Sequence, residues 1–145
     1  AEAYAVHEAD MRTRLTDYGE ITANRFVLGA TVRAADYLAA LRVRRELTDA
    51  VNETLRRTDA LLCLSALNTA PRFDAPVDAR SSGAPMQTIP FNVTGHPAIS
   101  VPVGLGSDGL PVGVQIAGRA FDEATVFRIA RAIETLSGWK SVALP

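Results

Sequence analysis

Few residues in this 145-residue sequence carry side chains suited to chemistry, and their spacing limits what each can do. Nucleophilic serine catalysis needs a base or a lysine beside an activated hydroxyl, with glycines that let backbone amides approach the developing oxyanion. Ser81-Ser82-Gly83 is the one serine cluster; it has no G-x-S-x-G frame and its neighbours Arg80 and Ala84 give no glycine flank, so it reads as loop. The single lysine, Lys140, stands far along the sequence from that cluster. Cys63 sits in the apolar run Leu61-Leu62-Cys63-Leu64 and reads as a buried, inert thiol. One cysteine and two histidines, His7 and His96, are too few for a cysteine-based metal site or most zinc arrangements. His96, between Gly95 and Pro97, is expected in a loop, hydrogen-bonded to backbone, and His7 is read in the same way on the first helix. Asp74 and Asp78 are the only loop carboxylates that invite an acid-base reading, and spacing does not pair them.

Gly104-Leu105-Gly106-Ser107-Asp108-Gly109 satisfies G-x-G-x-x-G. A phosphate-binding loop of that form must open a helix, whereas Leu110-Pro111-Val112-Gly113-Val114 continues as a strand. The motif is therefore expected to be a hairpin turn centred on Ser107-Asp108-Gly109. Asn52-Glu53-Thr54 and Asn92-Val93-Thr94 match the glycosylation pattern, but Ala1-Glu2-Ala3-Tyr4 lacks the basic-then-apolar character of a secretory leader.

The elements that must position these groups divide by composition. To about Asp59 the sequence is rich in Ala, Leu and Arg, with helical apolar spacing. Helices are expected from Ala3 to Leu15, from Ile21 to Leu28, and from a Thr31 cap to about Arg57, the last with Ala40, Leu47, Val51 and Leu55 on one stripe and a Glu53 to Arg57 ion pair. Arg42, Arg44, Arg45, Arg56 and Arg57 form a solvated face with Glu46, Asp49 and Glu53. Beyond Asp59, Ala60 to Leu67 reads as a buried strand and Asn68 to Pro90 as a long excursion. Ala98 to Val103 and Val112 to Ala117 form the hairpin. A last helix follows Asp122, carries Val126, Ile129, Ala130, Ile133 and Leu136 on one face, and ends at Gly138.

Composition bounds the rest. Hydrophobic residues make up 48% and charged residues 21%, as in a globular chain, and the net charge of −1 leaves no electrostatic footprint for a polyanion. No apolar run reaches the length of a membrane helix. A cytoplasmic protein with neither nucleic-acid nor membrane partner is expected.

Thr88-Ile89-Pro90-Phe91-Asn92-Val93-Thr94-Gly95-His96-Pro97-Ala98-Ile99-Ser100-Val101-Pro102-Val103-Gly104, followed by Gly109-Leu110-Pro111-Val112-Gly113-Val114-Gln115-Ile116-Ala117-Gly118, resembles the C-terminal signature of the amidase signature family. Gly29 leading into Ala34-Ala35-Asp36-Tyr37-Leu38-Ala39-Ala40 and Arg45, and Asp59-Ala60-Leu61-Leu62, resemble the preceding helix and strand. The resemblance covers nearly the whole chain. It implies an α/β fold in which residues 1–145 are the C-terminal portion of a single amidase domain, with a mixed β-sheet covered by α-helices: a helical part to about residue 59, a strand and loop part over 60–120, and a terminal helix over 122–137. A start inside a helix and without methionine fits that expectation.

The resemblance further implies hydrolysis of a carboxylic amide by a serine nucleophile, a second serine in a cis peptide and a lysine, all upstream of these residues, with no metal or organic cofactor. None of the three is assigned to a position here. The small-molecule amide and the N-terminal part of the same enzyme are the implied partners, and a homodimer stays open. Met86, Gln87, Thr88 and Asn92 are the residues expected to line the substrate cleft. Leu64-Ser65-Ala66-Leu67-Asn68 replaces the proline-threonine-proline loop of many members, so the pocket edge is expected to differ. Pro85 stands where the glutaminase component of tRNA-dependent amidotransferases tends to be acidic, which favours a general amidase over that component. The reading from a different class is a non-catalytic binding module.

Overall fold

The computed structural model describes residues 1–74 and 86–139. Asp78, Ser81, Ser82, Gly83, Pro85 and Lys140 lie outside them. The chain divides into two compact units, Ala1–Arg45 and Glu46–Pro145, with the longest helix running through the boundary.

In the first unit, α1 (Glu2–Thr13) and α2 (Glu20–Leu28) are each followed by one 3-10 turn, Leu15–Asp17 and Gly29–Thr31. The first helix stops short of its expected end because Arg14 leaves helical geometry and its Nε donates to Asp17 Oδ2 at 2.8 Å, a local bond that competes with another helical turn. The imidazole of His7 stacks on Phe26 at 5.0 Å and meets the edge of Tyr18, whose hydroxyl lies 3.1 Å from Nδ1. His7 thus joins the helices as an aromatic group. Thr31 does not cap the next helix: its Oγ1 donates to Leu28 O at 2.9 Å, closing the turn behind it, and α3 (Ala34–Leu55) starts three residues later.

The second unit holds an antiparallel sheet of three strands in the order β1 (Ala60–Leu64), β3 (Pro111–Gly118), β2 (Ala98–Leu105). Strands β2 and β3 form the expected hairpin. Gly109 at φ 77° makes the turn, Gly106 N donates to Leu110 O at 2.8 Å, and Asp108 Oδ1 accepts from Leu110 N at 3.1 Å. The motif is a turn, as its context required. Between Pro102 and Gly104 the pairing shifts by one residue, leaving Val103 as a β-bulge.

One face of the sheet packs on α5 (Glu123–Ser137). Val101, Ile116, Val126 and Ala130 are its buried core, with Ala60, Ile99, Ile129 and Ile133 around them. Asp122 caps the helix by accepting from Thr125 N at 3.3 Å, and Gly138 ends it in the left-handed conformation at φ 62°. Leu136, placed on the apolar stripe by spacing, is instead exposed; among the described residues of this helix the core cluster extends to Ile133. At Gly118 sheet and helix approach closely: a Cβ there would lie 2.5 Å from Val126 Cγ2.

The opposite face meets α4 (Ile89–Thr94) and the second half of α3. Sequence patterning gives no expectation of a helix at α4. Its six residues begin beside Pro90, which tolerates a first helical turn, and end at Gly95 with φ 77°. Leu55 at the end of α3 is buried, and Arg119 satisfies the carbonyls there, donating from Nε to Leu55 O and from Nη2 to Thr58 O, both at 2.9 Å. Glu53 pairs with Arg56 one turn on rather than with Arg57.

Strand β1 ends at Leu64, three residues before its expected limit, and it is an edge strand rather than a buried one. Leu62 and Leu64 are exposed. An apolar run does not distinguish a strand covered on both faces from one at the margin of the sheet.

Candidate functional site

The four residues expected to line a cleft lie within one continuous stretch. Met86 is exposed and bridges Ala66 in antiparallel fashion. Gln87 and Thr88 are half-buried, and Thr88 stands at the start of α4, where its carbonyl accepts from Asn92 N at 3.3 Å. Asn92 is exposed one helical turn further on. Thr88 and Asn92 therefore share a face of the short helix.

What holds this stretch is the sheet beneath it. The backbone of Gln87 is gripped from both sides: its N–H donates to Ser65 O at 3.2 Å, and its carbonyl accepts from Gln115 Nε2 at 3.0 Å. Gln115 is 3% exposed, on the central strand, and its amide nitrogen also lies 3.2 Å from Cys63 Sγ. Cys63, Gln115 and Ser100 face one another across the three strands. Cys63 is half-buried rather than buried, on the strand that lies at the edge of the sheet among the described residues. Next to this rung the hydroxyls of Ser65 and Ser100 are hydrogen-bonded over Gly113, where a Cβ would lie 2.8 Å from Ser100 Oγ and 3.1 Å from Ser65 Oγ. Only glycine leaves room for that pair.

Sequence reasoning misses Gln115, Ser65 and Ser100. A signal exists for the first: Gln115 interrupts the apolar run Val112-Gly113-Val114-Gln115-Ile116-Ala117, and a polar amide inside a central strand must find partners.

His96 is buried beneath α4. Its Nε2 lies 3.2 Å from Asn52 Oδ1 and its Nδ1 2.8 Å from the Thr94 hydroxyl. Its partners are side chains and not backbone, contrary to the loop reading. Burial pushes its pKa below the ordinary 6.5. On the hairpin, the hydroxyl of Thr69 and then the amide of Leu110 hold the Asp108 carboxyl below its usual range. Asp74 is an exposed partner of Arg72 at 2.8 Å.

This arrangement holds the Gln87 backbone against the sheet. The serine hydroxyls at 65 and 100 face each other, and His96 is committed to Asn52 and Thr94. Among the described residues no three His, Cys, Asp or Glu side chains gather as metal ligands, and no helix is long and apolar enough to cross a membrane.

A cavity of about 210 Å³ opens beside the site, between α3, α4 and β1, lined by Leu47, Val51, Thr54, Leu61, Pro90 and Thr94 among others. Leu47 and Val51 of the expected stripe thus border a hollow instead of a closed core.

Comparison with known proteins gives a consistent answer. The family model described as Amidase matches residues 1–127. The glutamyl-tRNA(Gln) amidotransferase A-type subunit of Thermotoga maritima is 43% identical over 135 residues, covering 89% of this chain and 28% of that protein. Fatty acid amide hydrolase of Medicago truncatula is 38% identical over 125 residues, covering 81% and 20%. Among solved structures, a chain from a vestigial protein complex described as revealing the evolutionary origins of an s-triazine catabolic enzyme superposes with a TM-score of 0.79 at 26% identity, over 97% of this chain and 32% of that one. The chain spans about a third or less of the length of the proteins it matches.

Proposed function

We propose, from the premise that this chain belongs to the amidase family, that it is the C-terminal portion of an enzyme hydrolysing a carboxylic amide to an acid and ammonia or an amine. In this reading residues outside the chain supply the nucleophilic serine, the second serine and the lysine. The serine oxygen attacks the amide carbonyl, the C–N bond breaks as its nitrogen takes a proton, and water then cleaves the acyl ester. The present residues supply sheet, covering helices and one wall of the cleft, formed by Met86, Gln87, Thr88 and Asn92.

The observation that carries the proposal is the double grip on Gln87, because it holds an otherwise irregular segment at fixed depth on the sheet within the stretch that matches the family. The test is ammonia release from a panel of simple carboxamides, by the chain alone and by the chain joined to the rest of its coding sequence. Serine-dependent turnover only in the joined form supports the proposal. Turnover by the isolated chain, or none in the joined form, refutes it.

Identity to the amidotransferase component of Thermotoga maritima favours a second reading, a glutaminase within a tRNA-dependent amidotransferase. Against it stand the near-neutral charge and Pro85 in place of an acidic residue. Strong preference for glutamine over simple amides in the same panel would select it.

A further inference from the structure

We infer that Gln115 is a positioning residue that sets how tightly the amide substrate is held, acting through the Gln87 carbonyl and not by touching substrate. The inference rests on the amidase reading and deepens it, since that reading places Met86, Gln87 and Thr88 on the cleft wall.

Three observations converge on Gln115. It lies on β3, the central strand, which is hydrogen-bonded to a neighbouring strand on both sides. At 3% exposure its amide must be satisfied within the protein, and Nε2 donates to Gln87 O at 3.0 Å and toward Cys63 Sγ at 3.2 Å. The Gln87 N–H is anchored to Ser65 O, which extends β1. One peptide segment is therefore fixed to β1 through its N–H and to β3 through its C=O. Such bracketing holds side chains in place only while both bonds persist, because loops between elements otherwise sample alternative backbone conformations.

Removal of the Gln115 amide leaves the Gln87 carbonyl without its partner, and the Met86–Thr88 segment moves to recover a hydrogen bond from water. Substrate affinity then falls while the reacting groups, supplied from outside this chain, are untouched. The signature is a KM effect without a comparable kcat effect.

The experiment uses the complete amidase with this chain as its C-terminal portion. Gln115→Met keeps the volume and loses the donor, whereas Gln115→Asn keeps an amide but withdraws it by one methylene. Cys63→Ala removes the other acceptor and leaves the Gln87 bond. KM is expected to rise about tenfold in both Gln115 variants with kcat within about twofold, and to stay within about twofold in Cys63→Ala. Hydrogen exchange should show lost protection at the Gln87 amide in the Gln115 variants alone. An active wild type whose KM is unmoved in both Gln115 variants, or raised equally by Cys63→Ala, overturns the inference. A wild type that hydrolyses no amide instead brings down the amidase reading, and this role with it.

Discussion

Gly118→Ala tests how closely the sheet approaches its covering helix. The backbone of Gly118 is not in the left-handed region, so alanine is conformationally acceptable and the test isolates contact. The new Cβ would lie 2.5 Å from Val126 Cγ2, 3.9 Å from Val126 Cβ and 3.6 Å from Asp122 O. Two carbons at van der Waals contact stand about 3.5 to 4 Å apart, so an overlap of roughly 1 Å must be relieved by moving Val126, which is only 3% exposed. Overpacking of this kind costs about 1 to 3 kcal/mol, offset by roughly 0.4 to 1 kcal/mol from the stiffer unfolded chain. Val126→Ala alone loses buried carbon and leaves a void, at about 2 kcal/mol. The double variant places the new methyl in the space the valine vacates. It should therefore be less destabilised than the sum of the single variants by about 1 kcal/mol or more, read as urea midpoints by circular dichroism. Additive single effects, or a neutral Gly118→Ala, would refute the close approach.

Acid should act through His96. Its pKa is lowered in the fold, so the unfolded ring takes up a proton first as pH falls. The stability this ring contributes is full above its ordinary pKa of about 6.5 and declines as pH falls below it. His96→Gln should flatten that slope, and an unchanged slope would move the origin elsewhere. Asp122→Ala removes the hydrogen bond to Thr125 N and should cost about 1 kcal/mol in the same urea titration, whereas a change under about 0.3 kcal/mol would show that the cap contributes little.

Local signals carry the hairpin and α5. Gly109, Asp108 and the β-branched runs define the turn and its strands within about twenty residues, and Asp122, the 3.6-residue stripe and Gly138 define the helix from start to stop. Sequence patterning fails where the deciding partner is distant or where a side chain has two local choices. Thr31 bonds backward to Leu28 rather than forward, and Arg14 closes on Asp17. The partner of His96 is Asn52, 44 positions away, and that of Gln115 is Gln87, 28 positions away. Neither separation leaves a periodic trace. The segment Met86 to Asn92 can be singled out only by resemblance; its means of support, a buried amide on another strand, becomes visible with the register of β3.

The β-bulge in β2 determines which residues the hairpin can gain or lose. Ser100 lies opposite Gln115 and Pro102 opposite Gly113, but past the bulge Gly104 lies opposite Val112, so the up-and-down alternation of β2 is reset at Val103. Excising Val103 would leave every cross-strand partnership on both sides as it is. Excising a residue nearer the middle, at Ser100 for instance, would turn the strand's inward side chains outward and carry Ile99 out of the core. Val103 is thus the position in this hairpin where a change in chain length can be absorbed without altering what either face presents.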